Sequence, residues 1–324
     1  MKQQQFEARY RDEWLAFEQA LEVLQGKKKD VTDTRQALAN FPEQYRRLCH
    51  QYALARERGY GLPLIQQLNE LILQGHRQLY RHRLPLLAPL MRFLLHDFPR
   101  AVREQANWNL VSGLFFTGAL AFMWLLVQQQ PEMVYSLLDD GTVNNIETMY
   151  DPALDTRDNR DSSDDVSMFG YYIWNNIGIA FRTFASGIFF GVGALFVELF
   201  NGAFFGAIAA HLINVGSHEP FFTFVIAHGA PELTAIVLSG GSGLRLGWAL
   251  IAPGPWSRLH ALQRAARKTM PVMYGAFMLL LMAAFIEAFW SPRQFDPVIK
   301  YSVGAAHWVL LYLYLLFAGR RHAA

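Results

Sequence analysis

Six stretches of this chain are too long and too apolar to sit in water, and any fold must accommodate them. Trp108–Val127 runs twenty residues without a charged side chain, enough to cross a hydrocarbon core of about 30 Å as a helix. A second stretch runs from Tyr171 to Phe200, interrupted only by Arg182 and Glu198. Asn201–Gly216 is short, Pro220–Leu250 is long and punctuated by Gly and Pro, and Pro271–Trp290 and Val298–Ala318 are cleaner. Hydrocarbon offers no partner to a backbone amide, so such runs must satisfy their own hydrogen bonds as helices. The expectation is an all-α chain: a polytopic helical membrane protein of about six spans (107–127, 171–200, 201–216, 220–250, 271–290 and 298–318), some broken or re-entrant, with an N-terminal cytoplasmic helical bundle. Composition agrees, with 52% hydrophobic and 17% charged residues, against about 25% charged in soluble domains. A net charge of +2 is too small for a nucleic-acid binder, and one cysteine, Cys49, excludes an internal disulfide.

The loops orient the spans. Segment 128–168 holds ten Asp and Glu against Arg157 and Arg160 alone. Segment 252–270 holds Arg258, Arg264, Arg267 and Lys268 with no acid, and Arg320 and Arg321 lie near the C-terminus. Positive loops stay in the cytoplasm. Six spans then put both termini inside and the acidic loop 128–168 outside, in a bacterial inner membrane. Trp108, Trp124, Trp174, Trp290 and Trp308 fall near span ends, as interfacial aromatic belts do. Met1–Arg11 is polar and amphipathic sequence follows, so no secretory signal is expected there.

Residues 1–83 read as the cytoplasmic arm. Phe6, Tyr10, Trp14, Phe17, Leu21 and Leu24 recur at three and four residues, one stripe of a helix ended by Gly26 and Lys27–Lys29. Phe41-Pro42 is expected to open a second helix carrying Tyr45, Leu48, Cys49 and Tyr52, with Pro42 in its first turn. Pro63 precedes a third, with Leu64, Leu68, Leu71, Ile72 and Leu79 on one face. Residues 84–106 read as an interfacial helix and linker. Leu84–Phe98 is apolar but too short to span, and Pro99 turns the chain into the first crossing of the transmembrane domain, 107–318.

Within that domain the polar residues carry the information. Asn175, Asn176, Arg182, Glu198, Asn201, His211, Asn214, His228, Glu232 and Arg245 lie in or beside lipid-buried segments. Each charge there costs several kcal/mol unless it is paired or faces water, so they should turn inward and find partners. His228 and Glu232, four apart, share a helix face. A turn at Val215–Pro220 would bring His211 and Asn214 towards them; Glu232 either lines a wet cavity or, if it is structural, pairs with a charge such as Arg182 or Arg245. Gly187–Gly191, Gly202–Gly206 and Gly243–Gly247 are small-xxx-small spacings that let helices pack backbone to backbone. Gly229, Gly240 and Gly241 add to them, and Ser239–Gly243 reads as a loop between two half-helices.

Standard chemistries fit poorly. His211, His228 and Glu232 supply zinc-type ligands but lack the spacings of the zinc hydrolases, so no metal, cofactor or catalytic residue is assigned. Gly241, Gly243 and Gly247 miss the dinucleotide spacing. The Asp-rich segment 151–165 lacks the order of a calcium loop and reads as solvated and mobile.

These residues carry a family likeness. Asn175-Asn176, Gly187 and Gly191, Asn201-Gly202 with Gly206, His228-Gly229 with Glu232-Leu233, and Ser239–Gly243 with Gly247 resemble the stage II sporulation protein M family, over roughly 84–318. Phe98-Pro99-Arg100 and Arg103 are similar to its non-sporulating members, while Pro231 departs from the commoner pattern. The resemblance implies a non-enzymatic membrane organiser. The sporulation member holds together a complex containing cell-wall hydrolases. Similar proteins are encoded beside a MoxR-type AAA ATPase, a von Willebrand-like protein and an RDD-domain membrane protein. The partners expected are therefore the lipid bilayer, further copies of the chain, and envelope or ATPase proteins. The alternatives are a transporter or channel with a midplane site at His211, His228 and Glu232, and, least favoured, an intramembrane metal-dependent enzyme.

Overall fold

Apolar periodicity close to that of an α-helix dominates the chain, and every element of the structure is helical among the described residues. The structure, a computed structural model, describes residues 2–25, 31–81, 87–153 and 162–320. The Lys27–Lys29 run, the start of the expected interfacial helix, the middle of the Asp-rich segment and Arg321 lie outside the described residues.

Two compact units divide the chain, Met1–Pro89 and Leu90–Ala324. The first holds α1 (Gln3–Leu24), α2 (Val31–Glu57) and α3 (Leu62–Arg81). The stripe from Phe6 to Leu24 packs with Phe41, Leu48, Leu64, Leu68 and Leu71 in one apolar core. Trp14 Nε1 donates to Gln51 Oε1 (2.7 Å), whose amide donates to Glu13 Oε2 (2.7 Å), so the buried indole has a polar exit. Pro42 does not open α2, because the helix starts at Val31 and continues through it. The proline merely deprives the backbone carbonyl four residues earlier of its helical donor.

The boundary between the units falls within α4 (Leu87–Arg92), which is followed by a π-helical turn (Phe93–Asp97) and α5 (Phe98–Glu104). Pro99 lies in the first turn of α5, where no N–H is needed. The break into α6 (Ala106–Gln129) therefore falls at Gln105 (φ −117°, ψ 24°) rather than at Pro99. A 3₁₀ turn (Pro131–Ser136) and α7 (Asp140–Met149) follow, then α8 (Ser162–Ser186), α9 (Val192–Asn214), α10 (His218–Ile251), α11 (Arg258–Phe289) and α12 (Pro297–Phe317). Among the described residues, five helices are long and apolar enough to cross a membrane: α6, α9, α10, α11 and α12. The protein is therefore an all-α membrane protein. A sixth long helix, α8, packs on α10 and α11, and its first turn carries Asp164 and Asp165.

Three expectations are corrected. The break between the second and third apolar stretches falls at 187–191, not at Phe200–Asn201, which lies inside α9. Phe190 (φ 54°) and Gly191 (φ 82°) are both left-handed there, and two such residues in succession reverse the chain. Ser239–Gly243 is not a loop, because α10 is continuous through it and Ser239 Oγ donates to the Ala235 carbonyl (2.8 Å). Its small residues let neighbouring elements press against the helix. Finally, segment 128–168 is partly built into the fold. Val134, Leu138 and Val143 pack with Met123, Val127, Ala207 and Ala210. Asp139 caps α7 by accepting from Thr142 N (3.0 Å) and Thr142 Oγ1 (2.7 Å), bonds that hold its carboxyl below the usual range. Asp165 is buried and bound by Arg293.

α10 is the most buried of the five apolar helices and touches α6, α8, α9, α11 and α12. Anything polar on its inner face is therefore enclosed by helices rather than by lipid.

Candidate functional site

α10 sets the site because His228 and Glu232 stand one turn apart on its enclosed face, with His228 Nε2 3.8 Å from Glu232 Oε2. The carboxylate that joins them comes from α11. Glu287, His228 and Glu232 each direct one nitrogen or oxygen atom to a place where all three lie within 4.8 Å of one another. Asn176 of α8 donates its amide to Glu287 Oε2 (3.4 Å) and receives an amide bond from Asn175 (2.9 Å). Ser291, just beyond α11, meets the other imidazole nitrogen, with Oγ 2.9 Å from His228 Nδ1. Lys300 of α12 donates to the Ser291 carbonyl (2.9 Å). Phe224 closes one side with its ring edge-on to the imidazole, 5.3 Å between centroids.

Pro231 shapes the same turn. Lacking an N–H, it leaves the carbonyl of Ala227 without a helical donor. His307 of α12 supplies one from Nδ1 at 2.7 Å, which places the ring proton on Nδ1. The proline thus gives α12 a backbone anchor on α10 at the residue just before His228.

His211 and Asn214 do not join this group. His211 Nε2 meets Glu147 Oε1 of α7 at 2.7 Å, and Asn214 donates to the Val127 carbonyl (3.3 Å). Among the described residues Glu232 has no arginine partner either. Arg182 is exposed and its Nε donates to the Gly178 carbonyl (3.1 Å). Arg245 lines a groove with Trp108, Trp248 and Lys268. Asn201 returns its amide to the Val197 carbonyl (2.7 Å).

Glu198 forms a second buried centre. It is fully enclosed, with the Ser112 side chain and the Gly240 backbone as its polar neighbours. The nearby Ser112 hydroxyl donates its only proton to the Val237 carbonyl (2.9 Å). A methyl group on Gly240 would overlap both Glu198 Oε1 and Ser112 Oγ. Four of the expected packing glycines seat backbone. Gly187 faces the Gly243 carbonyl, Gly247 faces Gly191, and Gly202 and Gly206 face the carbonyls of Phe116 and Leu120 on α6. Gly241 seats Asn109, whereas a methyl on Gly229 would touch only Val225, at 3.6 Å.

Reasoning from the sequence missed Glu287, Ser291, Lys300 and His307. Glu287 was legible as a lone acid within an otherwise apolar run, since an ionisable residue at that depth signals a site by itself. Ser291, Lys300 and His307 carried no such signal, because their roles depend on how α11 and α12 meet α10.

Comparison with known proteins places this geometry in a family. Residues 4–81 match a family described only as a domain of unknown function. No curated protein and no solved structure matches the chain. Residues 112–292, just over half of the chain and containing His228, Glu232 and Glu287, match the family described as stage II sporulation protein M, and the chain belongs to that family.

Proposed function

We propose that the chain is a non-enzymatic scaffold that organises an envelope-associated complex in the bacterial inner membrane. The observation that carries this reading is the two-part build. A membrane unit is accompanied by a separate three-helix unit with an apolar core of its own. That three-helix unit also displays Leu15, Leu62 and Leu73 on its surface. On this reading the three-helix unit is where a protein partner docks. The basic segment 252–270 favours placing it and both chain ends in the cytoplasm, with α8 counted as the sixth crossing and segment 128–168 outside. Helix faces of the membrane unit that display Leu110, Leu114, Phe196 and Leu310 suit lipid or a further copy of the chain.

A photo-crosslinker placed at Leu73 of the full-length chain in its native membrane tests the scaffold. The expected adduct contains a second, different polypeptide, an envelope or ATPase protein. Adducts with the chain alone, together with cation flux in reconstituted vesicles that Glu232→Gln abolishes, would replace this reading with transport. Transport is favoured by one observation: a cleft of about 470 Å³ between Glu219, Thr223 and Pro292 reaches Lys300. Lys300 in turn holds the Ser291 backbone beside His228.

A further inference from the structure

We infer that His228, Glu232 and Glu287 form a binding site for one divalent first-row transition metal ion, held between α10 and α11. The donors are an imidazole nitrogen and two carboxylate oxygens, all within 4.8 Å of one another. Ligand atoms about 2.0–2.2 Å from a tetrahedral zinc stand roughly 3.4 Å apart. The 3.8 Å between His228 Nε2 and Glu232 Oε2 is already near that spacing, and an ion would have to draw in the remaining separations, which are at most 4.8 Å.

The surroundings are built as metal sites are built. A ligating histidine has its second nitrogen held by a hydrogen bond, which sets the tautomer and aims the ring. Ser291 Oγ occupies that position, 2.9 Å from Nδ1. With the proton on Nδ1, the Nε2 lone pair faces the carboxylates. Glu287 is oriented in the same way by the Asn176 amide (3.4 Å). Lys300 pins the Ser291 backbone (2.9 Å), so the positioning residue is itself held.

Donor chemistry selects the ion. Imidazole with two carboxylates suits zinc, manganese or iron, whereas magnesium and calcium prefer all-oxygen surroundings. Three protein ligands leave at least one position for water or a further ligand. The inference does not depend on the scaffold reading. A resident ion would cross-link two helices of a scaffold, and an exchangeable one would be cargo.

The test uses the full-length chain purified in detergent, stripped with a chelator and dialysed against Zn²⁺ with excess Mg²⁺. Bound zinc is then counted, and thermal unfolding is followed with and without the ion. The expected result is about one tightly held Zn²⁺ per chain and a Tm that rises with zinc and falls back with chelator. Glu287→Gln, which keeps the side chain's shape, should abolish the tight site. Ser291→Ala should weaken it about 10–100-fold. Zinc held only by the acidic segment 128–168 would survive Glu287→Gln unchanged, and that outcome overturns the assignment. Should Glu287→Gln not fold, the wild-type chain decides: no tight zinc and no chelator-sensitive Tm would overturn it equally.

Discussion

A carboxyl group enclosed by protein whose hydrogen bonding is incompletely met should be a net cost, and Glu198, with only Ser112 and the Gly240 backbone beside it among the described residues, meets that description. Its oxygens lie against Gly240 and a serine already engaged with Val237. Leaving a buried polar group unpartnered costs about 1–3 kcal/mol, and an apolar side chain of similar length escapes that cost. Glu198→Met should therefore raise stability by about 1–2 kcal/mol, measured as a higher unfolding midpoint in detergent. A lower midpoint would show that the contacts to Ser112 and the Gly240 backbone outweigh the cost of burying the carboxyl. At this scale the sequence is a partial guide. The spacing of His228 and Glu232 was readable because a helix converts four residues into one face. That Glu287 is their third companion was not readable, because it lies on α11, 55 positions beyond Glu232, and nothing local announces the pairing. The partner assigned to His211 failed for the same reason. Nearness in sequence suggested His228, whereas the fold brings Glu147 to it instead.

Elements meet where their backbones can approach, and the glycines mark those places unequally. Gly206 of α9 faces the Leu120 carbonyl of α6 with no room for a methyl group. Gly229 of α10 faces nothing nearer than Val225 at 3.6 Å. Gly206→Ala should therefore destabilise the chain by about 1–3 kcal/mol through overpacking. Gly229→Ala should be neutral or stabilising by up to about 1 kcal/mol, the difference in helix propensity. Denaturant unfolding of both variants in the same detergent distinguishes them, and equal effects would mean that α9 and α6 are not packed this closely. The small-residue spacings announced close contacts but not their partners. Nor did they separate a packing glycine from a broken helix, and so Ser239–Gly243 was misread as a loop. The deciding fact is three-dimensional. Those residues face α6, Glu198 and the 187–191 turn, and a continuous helix whose three glycines carry no side chain there is what lets all three approach. Arg103 is an element-scale contact that the sequence shows only as a charge near a span. It donates to the Leu315 and Ala318 carbonyls (2.6 and 2.8 Å) at the end of α12, and burial beside Arg320 lowers its pKa.

The membrane unit turns polar side chains of its spans inward, among an apolar core, and displays apolar ones outward, the arrangement lipid demands. Its enclosed face carries Asn176, Glu198, His228 and Ser242, while Phe122, Trp174, Phe285 and Leu310 are displayed outward. Hydrophobic patterning made that division legible, but the direction of insertion rests on charge alone. Ala252–Met270 carries four basic residues and no acid, whereas the segment containing α7 is acidic. Lys and Arg retained by the cytoplasm set orientation, so Ser257 should lie inside and Ser136 outside. Both side chains are exposed, so a cysteine at either place can react. The native Cys49 is the chain's one thiol, and replacing it with serine leaves a silent background. In that background Ser136→Cys should be modified by a membrane-impermeant maleimide added to intact spheroplasts, and Ser257→Cys only after the membrane is opened. The opposite pattern would invert the protein and put the basic segment outside. Labelling of both positions in intact spheroplasts would mean that the number of crossings between them is even, so that α8 does not cross. Since α8 carries Asn176 to Glu287, that second outcome would also change how the polar centre is enclosed, and the labelling pattern therefore bears on the metal site as directly as on the topology.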